Sequence, residues 1–255
     1  LNASVWSATI FTSGGTQSEK FSLSGSTYTS LTGDGSTLVN TGTAYVLTLA
    51  DGTEYTYGEL TLASSDGAFR KARPTRIKYP SGETLTIANL NVTYCTNNLD
   101  YCEGGQYITK VRVQGVTSSY GYQLRYKYAT NAANTAQQGA IWDKLNSIAA
   151  INLTVDGCDA ASPTCTYSQT WPTTSYATSL SGFNTIWTVT DPLGRVSRYT
   201  ADSTPGAIKY RIKRPSSSTD NTVVAIDANG RVSSVATDGR TWTYAFSLAS
   251  NLMTA

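Results

Sequence analysis

Apolar and polar residues alternate with a period of two along most of this chain. Two such runs, within residues 186–199, flank the tetrapeptide Asp191-Pro192-Leu193-Gly194. Successive side chains of a strand point to opposite faces, so the alternation predicts β-strands. Pro192 suits the first corner of a turn, and Gly194 accepts a positive φ that most residues resist. The segment therefore predicts a β-hairpin that turns at this tetrapeptide.

The same pattern recurs four more times, each time as two runs of strand-forming residues around a turn with glycine. A single hairpin cannot bury its own apolar face, so neighbouring hairpins must supply the core. We therefore predict an all-β fold of repeated antiparallel hairpins that form a curved or spiralling repeat sheet. The further copies are residues 45–57 (turn Asp51-Gly52), 76–87 (Ser81-Gly82), 223–235 (Asp227 to Gly230) and 234–244 (Asp238-Gly239).

One segment departs from the period of two. Between residues 131 and 150, apolar residues recur at spacings of three and four, which predicts one short helix near 135–149 with Asn134 as its N-cap. A lone helix in a β protein is expected to cover an open sheet edge, and docking of a partner is the alternative. The predicted organisation is residues 1–130 as N-terminal hairpins, 131–183 as an insertion with the helix, a disulfide loop and a linker around Trp171, and 184–255 as further hairpins. A single continuous domain is the alternative.

The strand at 121–128 has an unusual composition. Tyr122, Tyr126 and Tyr128 lie on one predicted face, and the other face carries Arg125 and Lys127. The favoured interpretation is a half-buried strand whose tyrosines face the core. The alternative is an exposed tyrosine ladder that stacks on sugar rings or on a neighbouring subunit, so these three tyrosines are a candidate binding face.

The four cysteines form two pairs with identical spacing. Cys95 and Cys102 are separated by six residues, as are Cys158 and Cys165. Short loops of this kind can bring two Cα atoms within disulfide range, so two local disulfides are favoured. Free buried thiols are one alternative and a zinc site is another, although zinc usually takes closer cysteine pairs or histidine. Disulfides imply an oxidising compartment.

The turn at Asp191 carries a family resemblance. The stretch from Asp191 to Tyr199 resembles the core of the Rhs/YD repeat, a teneurin-like β-hairpin repeat of bacterial secreted toxins and eukaryotic cell-surface proteins. Asp227 to Val232 matches its D-x-x-G-R-(L/V) portion, and the resemblance is best over 184–246. It implies a spiralling β shell that encloses a payload or presents an adhesive surface, on a secreted or cell-surface protein of bacterial origin. The Tyr-Asp dipeptide of that repeat is absent here.

Composition narrows the functional classes. Charged residues make up 14 % of the chain, and serine, threonine and 17 tyrosines take their place. The net charge is only +2, and the lysines and arginines form no clear basic stripe of the kind that binds nucleic acid. No run of residues is long and apolar enough to span a membrane. The chain has no histidine, which removes Ser-His-Asp, Cys-His and His-ligated metal chemistry. Ser13-Gly14-Gly15-Thr16 lacks the lysine of a phosphate-binding loop.

A glycosidase site with two paired carboxylates and a calcium site made of aspartates are less favoured alternatives. Most aspartates lie in predicted turns, where an aspartate ordinarily hydrogen-bonds its own backbone. We expect a non-enzymatic extracellular structural module, without cofactor or metal, that associates with itself and can form filaments. Residues 251–255 resemble the first strand of another hairpin, so copies of the chain or other parts of a longer parent chain are expected partners. A surface glycan is a further expected partner. A secreted carbohydrate-binding module or glycosidase that uses Tyr and Trp faces is the alternative.

Overall fold

The computed structural model describes residues 6–11, 18–24, 27–59, 72–97, 105 and 107–246. Almost all of its regular structure is β-strand. The elements are β1 Trp6–Phe11, β2 Ser18–Ser24, β3 Thr27–Ser30, β4 Thr37–Asn40, β5 Ala44–Thr48, β6 Glu54–Glu59, β7 Ala72–Lys78, β8 Thr84–Cys95, β9 Tyr107–Ser118, β10 Tyr122–Tyr128, α1 Ala136–Ile141, β11 Leu145–Asn152, β12 Thr173–Ser181, β13 Asn184–Thr190, β14 Val196–Asp202, β15 Lys209–Lys213, β16 Thr222–Ile226, β17 Val232–Thr237 and β18 Arg240–Thr243.

The strands form two antiparallel sheets. The first has the order β1-β2-β3, and the second runs through fifteen strands from β4 to β18 without a crossover. Within each sheet every strand pairs with its neighbours in sequence, and the described residues contain one short helix, which confirms the all-β prediction. All five predicted hairpins are present, because β5–β6, β7–β8, β13–β14, β16–β17 and β17–β18 pair around the expected turns. The curved or spiralling form stays a prediction.

The helix is shorter than expected. It ends at Ile141, and its N-cap is Thr135 rather than Asn134, since the Thr135 hydroxyl accepts a hydrogen bond from the Gln138 N–H at 3.2 Å. Residues 145–149, predicted as helix, belong to β11, where Ser147 pairs with Ser175 of β12. The apolar residues of this segment have the spacing of a helix, but pairing with the neighbouring strand β12 determines its conformation.

A strand follows the predicted linker around Trp171. Residues Thr173–Ser181 form β12 and pair with β13 in an unbroken register from Ser175–Thr190 to Ser181–Asn184. Trp171 and Pro172 themselves lie outside the strands, and the serine, threonine and tyrosine residues after them suit the pleated, half-exposed surface of β12.

The chain divides into two compact units. Unit 1 comprises Leu1–Lys144 and Ala150–Thr170, and unit 2 comprises Leu145–Ala149 and Trp171–Ala255, so the division passes through β11. The three-part division predicted from the sequence stays a prediction.

Unit 1 has a hydrophobic core where β2 and β3 meet β4, β5 and β6. Phe21 and Leu47 are fully buried, and Leu38 and Tyr57 are nearly so. The sheet from β4 to β6 can place these residues on one face because Leu38 lies opposite Leu47 in the register. Tyr28 packs edge-on against Tyr45, with ring centroids 6.1 Å apart, at the border of the cluster.

A second buried region of unit 1 lies where α1 packs on β8 and β9. Trp142, just after the helix, is 1 % exposed, and Tyr94 of β8 is 8 % exposed. Gly139 permits the close approach, because a Cβ there would lie 2.3 Å from the Tyr94 ring. The helix therefore covers a face of the sheet at a position where only glycine fits.

Unit 2 contrasts with unit 1. Among its described residues none of the hydrophobic side chains is buried, and the one buried residue is Asp202. Strands β12 to β18 thus form an open sheet with side chains that reach solvent on both faces.

Candidate functional site

Four of the five repeat turns share one backbone geometry. In the Asp191 turn, the Gly194 N–H donates to the Asp191 carbonyl at 2.9 Å, and the Asp191 N–H donates to the Arg195 carbonyl at 3.0 Å. Gly194 has φ +76°, which completes a type I turn followed by a left-handed residue. The turns that begin at Leu49, Tyr79 and Asp227 repeat this pair of bonds, with Gly52, Gly82 and Gly230 at φ +85°, +89° and +79°. The predicted turn residues Asp51 and Ser81 occupy the position just before the glycine in two of these turns.

The turn at Asp238 is different. It has only two residues between paired Thr237 and Arg240, and both Asp238 (φ +46°) and Gly239 (φ +81°) have positive φ. Positive φ at both central residues defines a type I′ turn, whose twist matches that of the flanking strands. Aspartate followed by glycine is the residue pair that this turn favours.

Two of the turns carry an additional clamp between aspartate and arginine. Asp191 Oδ1 accepts the backbone N–H groups of Leu193 and Arg195, both at 2.9 Å, and Asp191 Oδ2 accepts Arg195 Nε at 2.6 Å. Asp227 makes the same contacts with Asn229 and Arg231, at 2.8, 2.9 and 3.0 Å. The D-x-x-G-R motif therefore has a local physical role, since its first and last residues close the turn between them.

These contacts also set the charge state of both carboxyl groups. The backbone N–H of Arg195 and then its side chain lower the pKa of Asp191. The backbone N–H and side chain of Arg231 lower the pKa of Asp227 in the same way. A glycosidase general acid needs a raised pKa, so neither carboxyl is suited to that role.

The three tyrosines of the candidate binding face do not share one environment. Tyr122 is 61 % exposed, whereas Tyr128 is half-buried and donates its hydroxyl hydrogen bond to the Val113 carbonyl. Burial raises the pKa of Tyr128 to about 12. The polar residues of the same strand are buried instead, with Gln123 at 3 % and Arg125 at 5 % exposure. The expectation that the tyrosine face packs on the core is therefore wrong for Tyr122, while Tyr126 is half-buried.

The neighbouring strand β9 contains a β-bulge. The β8–β9 register passes from Ala88–Gly115 to Asn89–Val113, so Gln114 is the extra residue. An inserted residue moves all later side chains to the opposite face. Arg112 and Gln114 then share the buried side with Gly115.

The buried polar side chains hold loops against the sheet of unit 1. Arg125 donates to the carbonyl groups of Asp159, Ala160 and Ser162 in the second cysteine loop. Gln123 Nε2 donates to the Cys158 carbonyl at 3.1 Å. Irregular segments leave carbonyl groups without ladder partners, and long side-chain donors can satisfy them.

Arg112 has the same role beside α1. It donates to the carbonyl groups of Thr130 and Trp142, and its guanidinium lies 4.3 Å from the Tyr128 ring centroid and 4.0 Å from that of Trp142. Burial lowers the pKa of Arg112. We interpret this polar layer as structural support for the loops.

The cysteine loops are partly within the described residues. Cys158 and Cys165 form a disulfide with Cα atoms 5.9 Å apart, as predicted. Cys95 is disulfide-bonded, and its expected partner Cys102 lies outside the described residues. Gly115 leaves room for the 158–165 loop, because a Cβ there would lie 2.9 Å from the Ala160 carbonyl oxygen.

Unit 2 presents its most distinctive surface on one face of the sheet from β12 to β18. The antiparallel register places Trp187 opposite Tyr199, and Tyr199 opposite Ile212. The adjacent row continues through Tyr210, Val224, Val235 and Trp242. We call this surface the aromatic face and define it by Leu180, Trp187, Tyr199, Tyr210, Ile212, Val224, Val235 and Trp242.

The aromatic face is largely open to solvent. Its exposed fractions are 79 % for Leu180, 42 % for Trp187 and Tyr199, 51 % for Tyr210 and 46 % for Trp242. Arg240, at the end of β18, is the one positively charged residue that the described strands place on the aromatic face. An exposed apolar surface of this extent marks a binding site in most soluble proteins.

Comparison with known proteins does not assign the chain to a family. No protein-family model and no curated protein matches this sequence. The site must therefore be interpreted from its own chemistry.

The opposite face of the same strands is positively charged. We call it the basic face and define it by Arg198, Lys209, Arg211 and Lys213. Arg198 lies directly opposite Lys213 in the register, and Arg211 pairs with the buried Asp202 carboxylate. Hydrogen bonds from the Thr204 side chain and backbone lower the pKa of Asp202.

Other chemistry receives no support from the residues described. They contain no group of three or more His, Cys, Asp or Glu residues that could hold a metal ion. Ser13 to Thr16 lies outside them. Within them, no helix has the length and hydropathy of a membrane span.

The aromatic face was not predicted from the sequence. Its signal was present in Lys209-Tyr210-Arg211-Ile212-Lys213, which alternates cations and apolar residues through a whole strand. One amphipathic strand does not reveal a surface, however, and the register across seven strands was needed to assemble it.

Proposed function

We propose that this chain is a non-enzymatic structural module that assembles with copies of itself through the aromatic face. The supporting observation is that unit 2 buries none of its described hydrophobic side chains, while one face of its sheet is apolar across seven strands. A sheet with one apolar face is stable when another layer covers that face.

The size of the aromatic face suits a second copy. Seven strands about 4.8 Å apart, with about five residues of 3.4 Å on each, span roughly 500 Å² of plane. Protruding rings add accessible surface to that plane, and a standard interface takes roughly 800 Å² per partner. Two such faces pack about 10 Å apart in a β-sandwich.

The composition of the face also suits self-association. Large rings alternate with small side chains, since Trp187 lies opposite Thr178 on one side and Tyr199 lies beside Ala201 along β14. Alternating large and small residues allow two faces to interdigitate. Packing would remove few charges from water, because the charges of these strands are concentrated on the basic face.

The resemblance to the Rhs/YD repeat supports a secreted setting for such an assembly. In that family, hairpin repeats build a shell or an adhesive surface. The Cys158–Cys165 disulfide is compatible with an oxidising compartment. Head-to-tail contacts that do not close would produce filaments, and contacts about a two-fold axis would produce dimers.

Sedimentation velocity and negative-stain imaging across a concentration series, without reducing agent, test the proposal. We expect assembly that Trp187→Ser weakens by at least about tenfold in the association constant, because buried aromatic anchors dominate interfaces. Leu193→Ser is the matched control, since Leu193 is 77 % exposed but lies in a turn away from the aromatic face. A chain that stays monomeric at high concentration would overturn the proposal.

A carbohydrate-binding role is the second candidate and rests on the same side chains. Trp187 and Tyr199 are neighbours on adjacent strands, and both rings reach solvent. Aromatic surfaces with an apolar body and a polar tip bind amphipathic ligands. Glycan-array binding that is lost in Trp187→Ser, together with monomeric behaviour, would favour this candidate over assembly.

A further inference from the structure

The basic face holds a cavity between the ends of β14 and β15 and the loop that follows. The cavity has a volume of about 230 Å³ and is lined by Val196, Arg198, Lys213, Arg214, Ser216 and Ser217. We call it the Arg198 pocket. It is several times larger than the roughly 30 Å³ that one water molecule occupies in the liquid.

The charges around this pocket are not balanced. The Arg198 side chain makes no hydrogen bond or ion pair with the described residues, and it lies directly opposite Lys213 in the sheet register. Like charges at directly opposed positions of a sheet are destabilising. Lys213 Nζ donates only to the Ser218 carbonyl, at 3.0 Å, which leaves its charge uncompensated.

The third cation is compensated in part. Arg214 Nη1 contacts the Asp238 carboxylate at 3.1 Å, with both side chains more than half exposed. Among the described residues, Asp238 is the one carboxylate that contacts any of these three cations, so the pocket keeps a net positive charge. Exposed pairs of this kind are weak and exchange readily with other anions.

The loop adds hydroxyl groups on the side facing the cations. Arg214, Pro215, Ser216 and Ser217 form a turn, closed by a 3.3 Å hydrogen bond from the Ser217 N–H to the Arg214 carbonyl. Ser216 has φ +61°, the positive value that the residue after proline takes in a type II turn, so the turn itself accounts for this conformation. Two guanidinium groups, one ammonium group and the Ser216 hydroxyl are donors that can bind a tetrahedral oxyanion, while the Ser217 hydroxyl already donates to the Thr219 carbonyl at 2.7 Å.

We propose that the Arg198 pocket binds a tetrahedral oxyanion, carried as a sulfate or phosphate ester on a larger ligand. Arg198 and Lys213 would contact the anion together, and the attraction of each cation to the anion would offset the repulsion between the two cations. This inference is independent of the aromatic face, because the two surfaces lie on opposite sides of the same strands.

Titration of inorganic sulfate, followed by amide chemical shifts at constant ionic strength set with NaCl, tests the proposal. We expect saturable shifts at residues 196–198 and 213–217, and an affinity that falls roughly five- to tenfold in Arg198→Gln. Arg240→Gln is the matched control, since it removes the same charge from the opposite side of the sheet. Equal weakening in both variants would mean general charge attraction and would overturn the site.

Thermal unfolding gives a second readout that does not depend on spectral assignment. Sulfate stabilises most proteins by exclusion from their surface, so the informative quantity is the difference between variants. We expect sulfate to raise the melting temperature of the wild type and Arg240→Gln more than that of Arg198→Gln. An identical increase in all three would contradict the proposal.

Glucose 6-sulfate and glucose 6-phosphate then distinguish the two ester chemistries. Tighter binding of either ester than of inorganic sulfate, with loss in Arg198→Gln, supports the site and identifies its class. Absence of saturable binding for both esters and for inorganic sulfate overturns it.

Discussion

Single side chains determine how the repeat turns close. Asp227 satisfies two backbone N–H groups with one oxygen and binds Arg231 with the other. An aspartate at the start of a turn ordinarily makes only the backbone contacts. The arginine four residues later adds a charge-assisted bond and covers the turn, and the Asp191 turn repeats the arrangement.

The Asp227 clamp predicts a pH dependence. Its pKa is held below the value of about 3.9 in the unfolded chain, so the carboxylate stabilises the fold above that pH. This contribution is lost as pH falls through the folded-state pKa. We expect the unfolding free energy of the wild type, measured in urea at steps from neutral to acidic pH, to fall more steeply than that of Asp227→Asn.

Asp220→Asn is the control for this prediction. Asp220 is exposed and has no ion pair with the described residues. Its variant should keep the steep profile of the wild type. Parallel pH profiles for Asp227→Asn and the wild type would show that the clamp contributes nothing.

Backbone conformation at the turn glycines is a second constraint at the residue scale. Gly230 has φ +79°, and nothing lies within 4 Å of an added Cβ, so a substitution there meets strain without a clash. A left-handed conformation costs an L-residue about 1–2 kcal/mol.

We therefore expect Gly230→Ala to lower the unfolding free energy by about 1–2 kcal/mol in urea denaturation. Gly157→Ala is matched, because Gly157 also has open space around it and lacks a positive φ. Its effect should stay within about 0.5 kcal/mol. Equal losses in the two variants would refute the role of the turn conformation.

Among the elements, β10 is a strand whose polar side chains Gln123 and Arg125 are buried. Arg125 is 5 % exposed because the loop at 159–162 needs donors and the strand supplies them. An arginine in this position connects an irregular segment to a regular one. Its removal would leave buried carbonyl groups without partners.

Arg125→Met should therefore destabilise the fold by about 3 kcal/mol, because a buried network loses one of its members. Hydrogen exchange should locate the damage, with faster exchange at residues 158–165 than in β4–β6. Lys127→Met is the control on the same strand, since Lys127 is exposed. Unchanged exchange in the 158–165 loop would contradict the proposed support.

At the scale of the whole molecule, the two units differ in where their stability comes from. Unit 1 contains clusters of buried residues, including Phe21, Leu47 and Trp142. Unit 2 relies on strand pairing and on partly buried side chains. Open sheets with this little burial are marginal in water, so the covering layer that we propose would contribute directly to the stability of unit 2.

This contrast predicts a concentration-dependent stability that is confined to unit 2. Hydrogen exchange should slow in β13–β17 as protein concentration rises, while β4–β6 should be unaffected. Trp187→Ser should remove the concentration dependence, and Leu193→Ser should keep it. Protection that is independent of concentration in both units would argue against assembly through the aromatic face.

The local pattern of residues was sufficient for the hairpins. Their strands alternate with a period of two, and glycines such as Gly194 and Gly230 stand where a left-handed residue is needed. Both signals act over a few neighbouring residues, so they can be read without the fold. The Cys158–Cys165 disulfide was predictable for the same reason.

Features that depend on distant residues could not be predicted. The bulge at Gln114 reversed the faces of later residues, and pairing with β12 converted residues 145–149 from an expected helix into strand. The aromatic face exists because the register aligns Trp187, Tyr199 and Tyr210 from three strands. Each strand alone shows only an amphipathic alternation, and strand pairing is what joins these alternations into one surface.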